Sequence, residues 1–100
     1  MNNISKVSCI TPEDVAEYIR LDEVTESDIA TLNNLIGIAK SFIKNYTGRT
    51  DEELDNYQDF VIVVLVLVQD MWDNRTMYVD SQNLNFVVDS ILHLHSVNLL

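Results

Sequence analysis

The chain has 100 residues, enough for one domain near the lower end of what sustains an independent hydrophobic core. Sixteen acidic residues against six Lys and Arg leave a formal net charge of −10, which argues against direct nucleic-acid binding, since that requires a basic footprint. A surface that repels DNA, so that DNA passes without sticking, is compatible with it. Cys9 is the only cysteine, so no internal disulfide can form and a stapled secreted scaffold is excluded. With two glycines and one proline, the chain lacks the turn punctuation of a β-sandwich, and an all-α fold is expected.

In chain order, Met1 to Ile10 shows no clear period and reads as an N-terminal arm ahead of a single domain spanning 11–100. This start lacks the charged n-region and apolar core of a signal peptide, so the expectation is a soluble protein made in a reducing cytoplasm. Thr11-Pro12-Glu13-Asp14 is a helix start, with a capping Thr, Pro at the first helical position and acids in the first turn. A short helix to about Ile19 follows, with Val15, Tyr18 and Ile19 inward, and then an acidic connector, Leu21 to Glu26.

Ser27 is expected to cap the second helix. Ile29, Leu32, Ile36, Ala39, Ile43 and Tyr46 recur at spacings of three and four, a seam that Leu35 and Phe42 widen. Lys40 and Lys44 suit the negative end of the helix dipole, and Gly48 is a left-handed C-cap. Gly37, in mid-helix, suggests close approach of another helix.

Thr50 and Glu53 have capping-box spacing and open what reads as one long helix, from about Glu52 to Met77. Phe60 to Val68 is apolar without a break. Its valines and isoleucines favour a strand by propensity, but no Gly or Pro bounds it, and Leu54, Tyr57, Val61, Val64, Val68 and Met71 keep a helical spacing. Nine apolar residues fall short of the roughly 18–20 that span a membrane. A helix apolar all round must be covered on every side, so this one is either the centre of a small bundle or has a face covered by a neighbouring subunit, and Phe60, Ile62, Val63 and Val66 are structural or interface candidates. A last helix, about Leu84 to Leu99, carries Leu84, Val87, Val88, Ile91 and Leu94 on its apolar side, with Leu92 a further candidate. The expected architecture is a small bundle of about four helices in which the two long ones pack antiparallel across the turn at Gly48.

Chemistry-bearing patterns are few. His93 and His95 stand two apart, a spacing that on a helix points them in different directions and prevents a shared metal. Cys9 has no histidine nearby in sequence, and the carboxylates gather at helix starts, where the dipole accounts for them. Asp51 to Asp59 lacks the loop spacing of a calcium site, and no phosphate loop, nucleophile elbow or zinc spacing occurs. No enzymatic activity, cofactor or metal is expected. Two stretches stand out. Trp72-Asp73-Asn74-Arg75 places Arg75 where the apolar spacing calls for another core residue, so it either pairs with a carboxylate to pin the helix end or meets a neighbouring subunit. Asn45-Tyr46-Thr47-Gly48-Arg49 reads as a simple helix C-cap.

Taken together, Asp14 to Ile19, the acidic connector, Phe42-Ile43-Lys44-Asn45-Tyr46-Thr47-Gly48-Arg49, the acid-started helix closing on Trp72-Asp73-Asn74-Arg75 and the leucine-rich last helix resemble the small head–tail connector proteins of long-tailed bacteriophages, also called adaptor or head-completion proteins. The resemblance covers about residues 11–95. It implies an α-helical, non-catalytic virion subunit, made in the host cytoplasm. Such subunits assemble into a ring, typically dodecameric, beneath the portal protein. That ring extends the DNA channel and docks a downstream connector or tail protein. By the same resemblance, the arm and the C-terminal segment are the places for contacts with neighbours. The ending His93-Leu94-His95-Ser96-Val97-Asn98-Leu99-Leu100 departs from the basic or aromatic ending of many relatives. A different class is also open: a small cytoplasmic helical protein-binding or regulatory module acting as a dimer.

Overall fold

Thr11, Thr25 and Thr50 each open a helix in the same way. The threonine hydroxyl accepts the backbone N–H of the residue three on, at 3.1, 3.1 and 3.3 Å, and the carboxylates of Asp14, Asp28 and Glu53 accept the threonine N–H in return, at 3.0, 3.1 and 3.1 Å. These reciprocal caps satisfy donors that a helix start otherwise leaves unpaired. The computed structural model describes residues 4–97. It contains a one-turn 3₁₀ helix, Val7–Cys9, and five α-helices: α1 Pro12–Tyr18, α2 Glu26–Thr47, α3 Asp51–Leu54, α4 Asp59–Asn74 and α5 Phe86–His95. Among the described residues there is no strand, and the protein is all-α.

α4 is the centre. Phe60, Val63, Val64, Leu65 and Val68 are fully enclosed. α2 supplies Leu32, Leu35, Ile36, Ala39 and Ile43 against it, α1 supplies Val15 and Ala16, and α5 supplies Val88 and Leu92. α2 and α4 run antiparallel, since Thr31 and Leu35 near the start of α2 share a cleft with Met71 and Trp72 near the end of α4. The αL residue between α2 and α3 is Gly48, with φ 74° and its N–H on the carbonyl of Lys44.

Several expectations are corrected. The second helix is capped by Thr25, not Ser27, because Thr25 and Asp28 stand at the spacing at which each reaches the other's backbone N–H. The long helix is two pieces. Asn56 N–H donates to Glu53 O, Tyr57 N–H to Leu54 O, Phe60 N–H to Tyr57 O and Val61 N–H to Gln58 O, a run of tight turns that interrupts the helix between Leu54 and Asp59. This break lets Leu54 and Phe60, six residues apart and so on different sides of an unbroken helix, both reach the core. The far end also comes early: Arg75 adopts φ 54°, and the N–H of Thr76 closes on Met71 O at 3.0 Å.

Residues 4–10 do not form a free arm; residues 1–3 lie outside the described residues. Val7 and Ile10 are buried, and Ser8 donates from its backbone N–H and its hydroxyl to the two carboxylate oxygens of Asp55, at 2.9 and 2.7 Å. The last helix starts at Phe86 on an Asn85 cap and ends at His95, with residues 98 and 99 outside the described residues. Its rotation differs from expectation: Val88 and Leu92 face inward, Ile91 is half-buried, and Val87 and Leu94 face outward. Gly37 is exposed, and a Cβ built there meets nothing within 4 Å among the described residues, so none of their helices approaches it closely.

Candidate functional site

The turn after α2 does more than end a helix. Thr47 is buried, and its hydroxyl donates to Ile43 O at 2.7 Å while accepting the Arg49 N–H at 3.3 Å. Arg49 is thereby aimed across the turn. Its Nε donates to the backbone carbonyl of His95 at 2.6 Å, its Nη1 to Glu53 Oε2 at 3.3 Å, and its guanidinium carbon lies 4.8 Å from the centre of the Tyr57 ring. The His95 ring stacks at 4.4 Å from Tyr57 and 4.9 Å from Phe60, and its Nε2 lies 2.8 Å from Asp59 Oδ2. Beyond it, the Ser96 hydroxyl donates to Tyr46 O at 3.4 Å and the Val97 N–H to Thr47 O at 2.8 Å. Two of the carbonyls left over at the end of α2, those of Tyr46 and Thr47, are thus satisfied by the segment that follows α5.

This clamp joins residues 36 to 50 apart in sequence. Of its members, Tyr46, Gly48 and Arg49 were legible as a turn. Glu53, Tyr57, Asp59 and His95 stand out in the sequence only separately, as a cap, an apolar-spacing position, a carboxylate stretch and a histidine pair, because no local spacing connects them to Arg49 or to one another. The guanidinium and the imidazole are both occupied by partners within the chain, and no group of three or more His, Cys, Asp or Glu that could hold a metal occurs among the described residues.

At the opposite end of the α2–α4 pair lies an open cleft of about 430 Å³. Leu35, Met71, Trp72 and Met77 form its apolar walls, and Thr31, Asp28, Arg75 and Thr76 its polar ones. Arg75 does not fill the core position that the spacing suggested, because its left-handed backbone turns the chain out of the helix and leaves the side chain exposed. It pairs with no carboxylate among the described residues. Asn74, also exposed, lines a separate small cavity of about 120 Å³ with Asp70, Asp80 and Leu84. Burial, and then the neighbouring Asp73, push the Asp70 carboxyl above the ordinary carboxylate range.

The all-apolar stretch of α4 is largely closed within the subunit. Phe60 and Val63 are core residues, Val66 is half-buried, and Ile62 alone among the four reaches the surface to a large extent, at 43 % exposure. Apolar surface is left instead on α5, where Phe86 is 82 % exposed and Leu94 75 %, with Val87 beside them and Val97 just beyond the helix. Spacings of one, seven and eight residues put Phe86, Val87 and Leu94 on one outward face. Single exposed apolar residues are ordinary, whereas these fall close together on one short helix and its end.

No helix is long and apolar enough to cross a membrane among the described residues. Compared with known proteins, the chain matches no family model, no curated protein and no solved structure.

Proposed function

We propose that the chain is a structural subunit of a head–tail connector in a long-tailed phage or prophage virion. In this role it assembles into a ring beneath the portal protein, extends the DNA channel and presents a docking surface to the next connector or tail protein. The observation that carries the reading is the outward apolar row of α5 on a subunit whose core is otherwise closed. A small domain that leaves such a row uncovered is built to have it covered by another protein. The two stretches that carry the resemblance are consistent with this, for both form the ends of the long helices: Gly48 closes α2 and Arg75 closes α4. The charge of −10 suits a channel wall that DNA slides past, because acidic side chains do not hold phosphates. The role needs no catalytic step and no cofactor.

The test is binding to portal rings encoded beside this gene, followed by electron microscopy of the complex. A ring of this chain seated on the portal is the expected result. A chain that leaves portal rings bare, from a gene without portal or capsid neighbours, would overturn the reading in favour of a helical regulatory dimer.

A further inference from the structure

The last helix hangs on a loosely held tether. None of residues 72–87 is buried, although Val79 and Leu84 are half-buried. The bonds of Thr76 and Asp80 stay within the segment that joins α4 to α5: the Thr76 hydroxyl donates to Tyr78 O at 3.4 Å, and the Asp80 carboxylate accepts the Gln82 N–H at 3.2 Å and the Asn83 amide at 2.9 Å. α5 itself buries two side chains, Val88 and Leu92, where α4 buries eight. The rest of its hold is the clamp at its C-terminal end. There Arg49 binds the His95 carbonyl, Asp59 meets the His95 ring against Tyr57 and Phe60, and the Val97 N–H closes on Thr47 O.

These partners lie at the end of α2, in the turn after it and at the start of α4, so they form a groove whose occupant is known: it is shaped for α5. A second copy of the chain carries the same Val88, Leu92 and His95 and makes the same contacts there. The tether is long enough to deliver them. Residues 76–85 span about 33 Å when extended, more than two of the three dimensions of the subunit, 45 × 28 × 19 Å.

We propose that α5 detaches as a unit and exchanges between copies, seating in the groove of a neighbour with Val88 and Leu92 in its core and His95 against its Tyr57 and Phe60. Every bond of the clamp is remade in the exchanged form, so the cost is chiefly that of bringing copies together, and concentration sets the extent. Passed from copy to copy in one direction, the exchange links subunits until they close into a ring; made mutually, it gives a dimer. It does not need the connector reading, whose own test is the portal.

Isotope-filtered nuclear magnetic resonance shows whose helix is seated. Isotope-labelled and unlabelled wild-type chains are mixed equally in denaturant, refolded at high concentration and separated by gel filtration. The His95 ring centre lies 4.4 Å from that of Tyr57 and 4.9 Å from that of Phe60, close enough for nuclear Overhauser contacts between their protons. A species larger than the monomer is expected, in which these contacts run between labelled and unlabelled chains; in the monomer they should not. A larger species without cross-chain His95 contacts would overturn the assignment, as would the absence of any larger species up to millimolar concentration. The rate gives a second reading. When folded labelled and unlabelled chains are mixed, cross-chain contacts should appear roughly tenfold faster for Arg49→Ala, because that bond breaks as α5 leaves. Their final share should stay the same, because the bond is missing from both forms. An unchanged rate would mean that α5 does not leave through the clamp, and the assignment would fall.

Discussion

Arg49 holds the carbonyl of His95 from 46 residues away, its Nε donating at 2.6 Å. The same guanidinium binds Glu53 and lies over the Tyr57 ring, so a single side chain ties the turn after α2 to the broken start of α4 and to the end of α5. The α5 face proposed as an interface is therefore held in place from its C-terminal end by residues that are not on α5.

Arg49→Ala should destabilise the chain by about 2 kcal/mol, since hydrogen bonds from a charged donor are worth roughly 1.5–3 kcal/mol and the site is not fully enclosed. For a domain of this size that is a fall in Tm of roughly 10 °C, readable by thermal circular dichroism. Arg49→Lys should recover less than half of it, because an ammonium cannot copy the planar fork that reaches His95, Glu53 and the Tyr57 face together. Hydrogen exchange should locate the loss at the end of α5. Uniform loosening of all five helices would contradict the clamp.

What was legible in the sequence was local or strongly apolar. The caps at Thr11 and Thr50 depend on partners three residues away, and each formed as its spacing suggested. The enclosure of most of Phe60 to Val68 followed from its composition, with Ile62 left at the surface and Val66 half-buried. The break after Leu54 was not legible. No Gly or Pro marks it, and what stabilises it are tertiary partners: Ser8 on Asp55, Arg49 on Tyr57, His95 on Asp59. The rotation of α5 was hidden for a different reason. Val87 and Val88 are the same residue type, as are Leu92 and Leu94, so periodicity cannot choose between the two sides. The anchored His95 decides it, turning Val88 and Leu92 inward. Arg75 was misplaced because apolar spacing extends a helix indefinitely, whereas the chain ends this one with a left-handed residue.

Gly37→Ala should stabilise the protein by about 0.5–1 kcal/mol, the ordinary helix-interior difference, since the added methyl meets nothing within 4 Å. A rise in Tm of several degrees is expected. A fall would show that Gly37 is needed for close contact in an assembly, and the measurement should then be repeated on the isolated and assembled forms.

Arg20 has a φ of 61° at the end of α1, where the N–H of Leu21 closes on Ala16 O at 3.0 Å. A non-glycine residue there bears roughly 1–2 kcal/mol of steric strain, against a smaller entropic penalty for glycine. Arg20→Gly should therefore raise stability by about 0.5–1 kcal/mol, measured by urea denaturation. Arg20→Val, with its branched Cβ, should lower it.

Two carboxylates give stability opposite dependences on pH. The Ser8 backbone N–H and then its hydroxyl hold the Asp55 carboxyl below the usual 3.8, so the stability it contributes is present above that value and is lost as pH falls through the depressed one. Asp70 is raised by burial and by Asp73, so its ionisation costs stability as pH climbs from 3.8 through the raised value. Ser8→Ala should move acid unfolding to higher pH. Asp70→Asn should stabilise at neutral pH and have little effect in strong acid. Denaturant titrations from about pH 3 to pH 7 distinguish the two.

The last prediction concerns α4 itself. Val64 is fully enclosed and Ile62 is 43 % exposed, although they are separated by a single residue of one apolar run. Val64→Asp buries an unpaired charge, a cost of several kcal/mol that is comparable to the whole stability of a domain this small. It should abolish folding, seen as loss of helical circular dichroism. Ile62→Asp places the charge in water and should change stability by no more than about 1 kcal/mol. If Ile62→Asp leaves a folded chain that still assembles, the surface of α4 takes no part in subunit contacts and α5 is left to make them. If it folds but does not assemble, the exposed edge of α4 belongs to the interface as well. Unfolding by both substitutions would mean that the run is covered on every side within one chain.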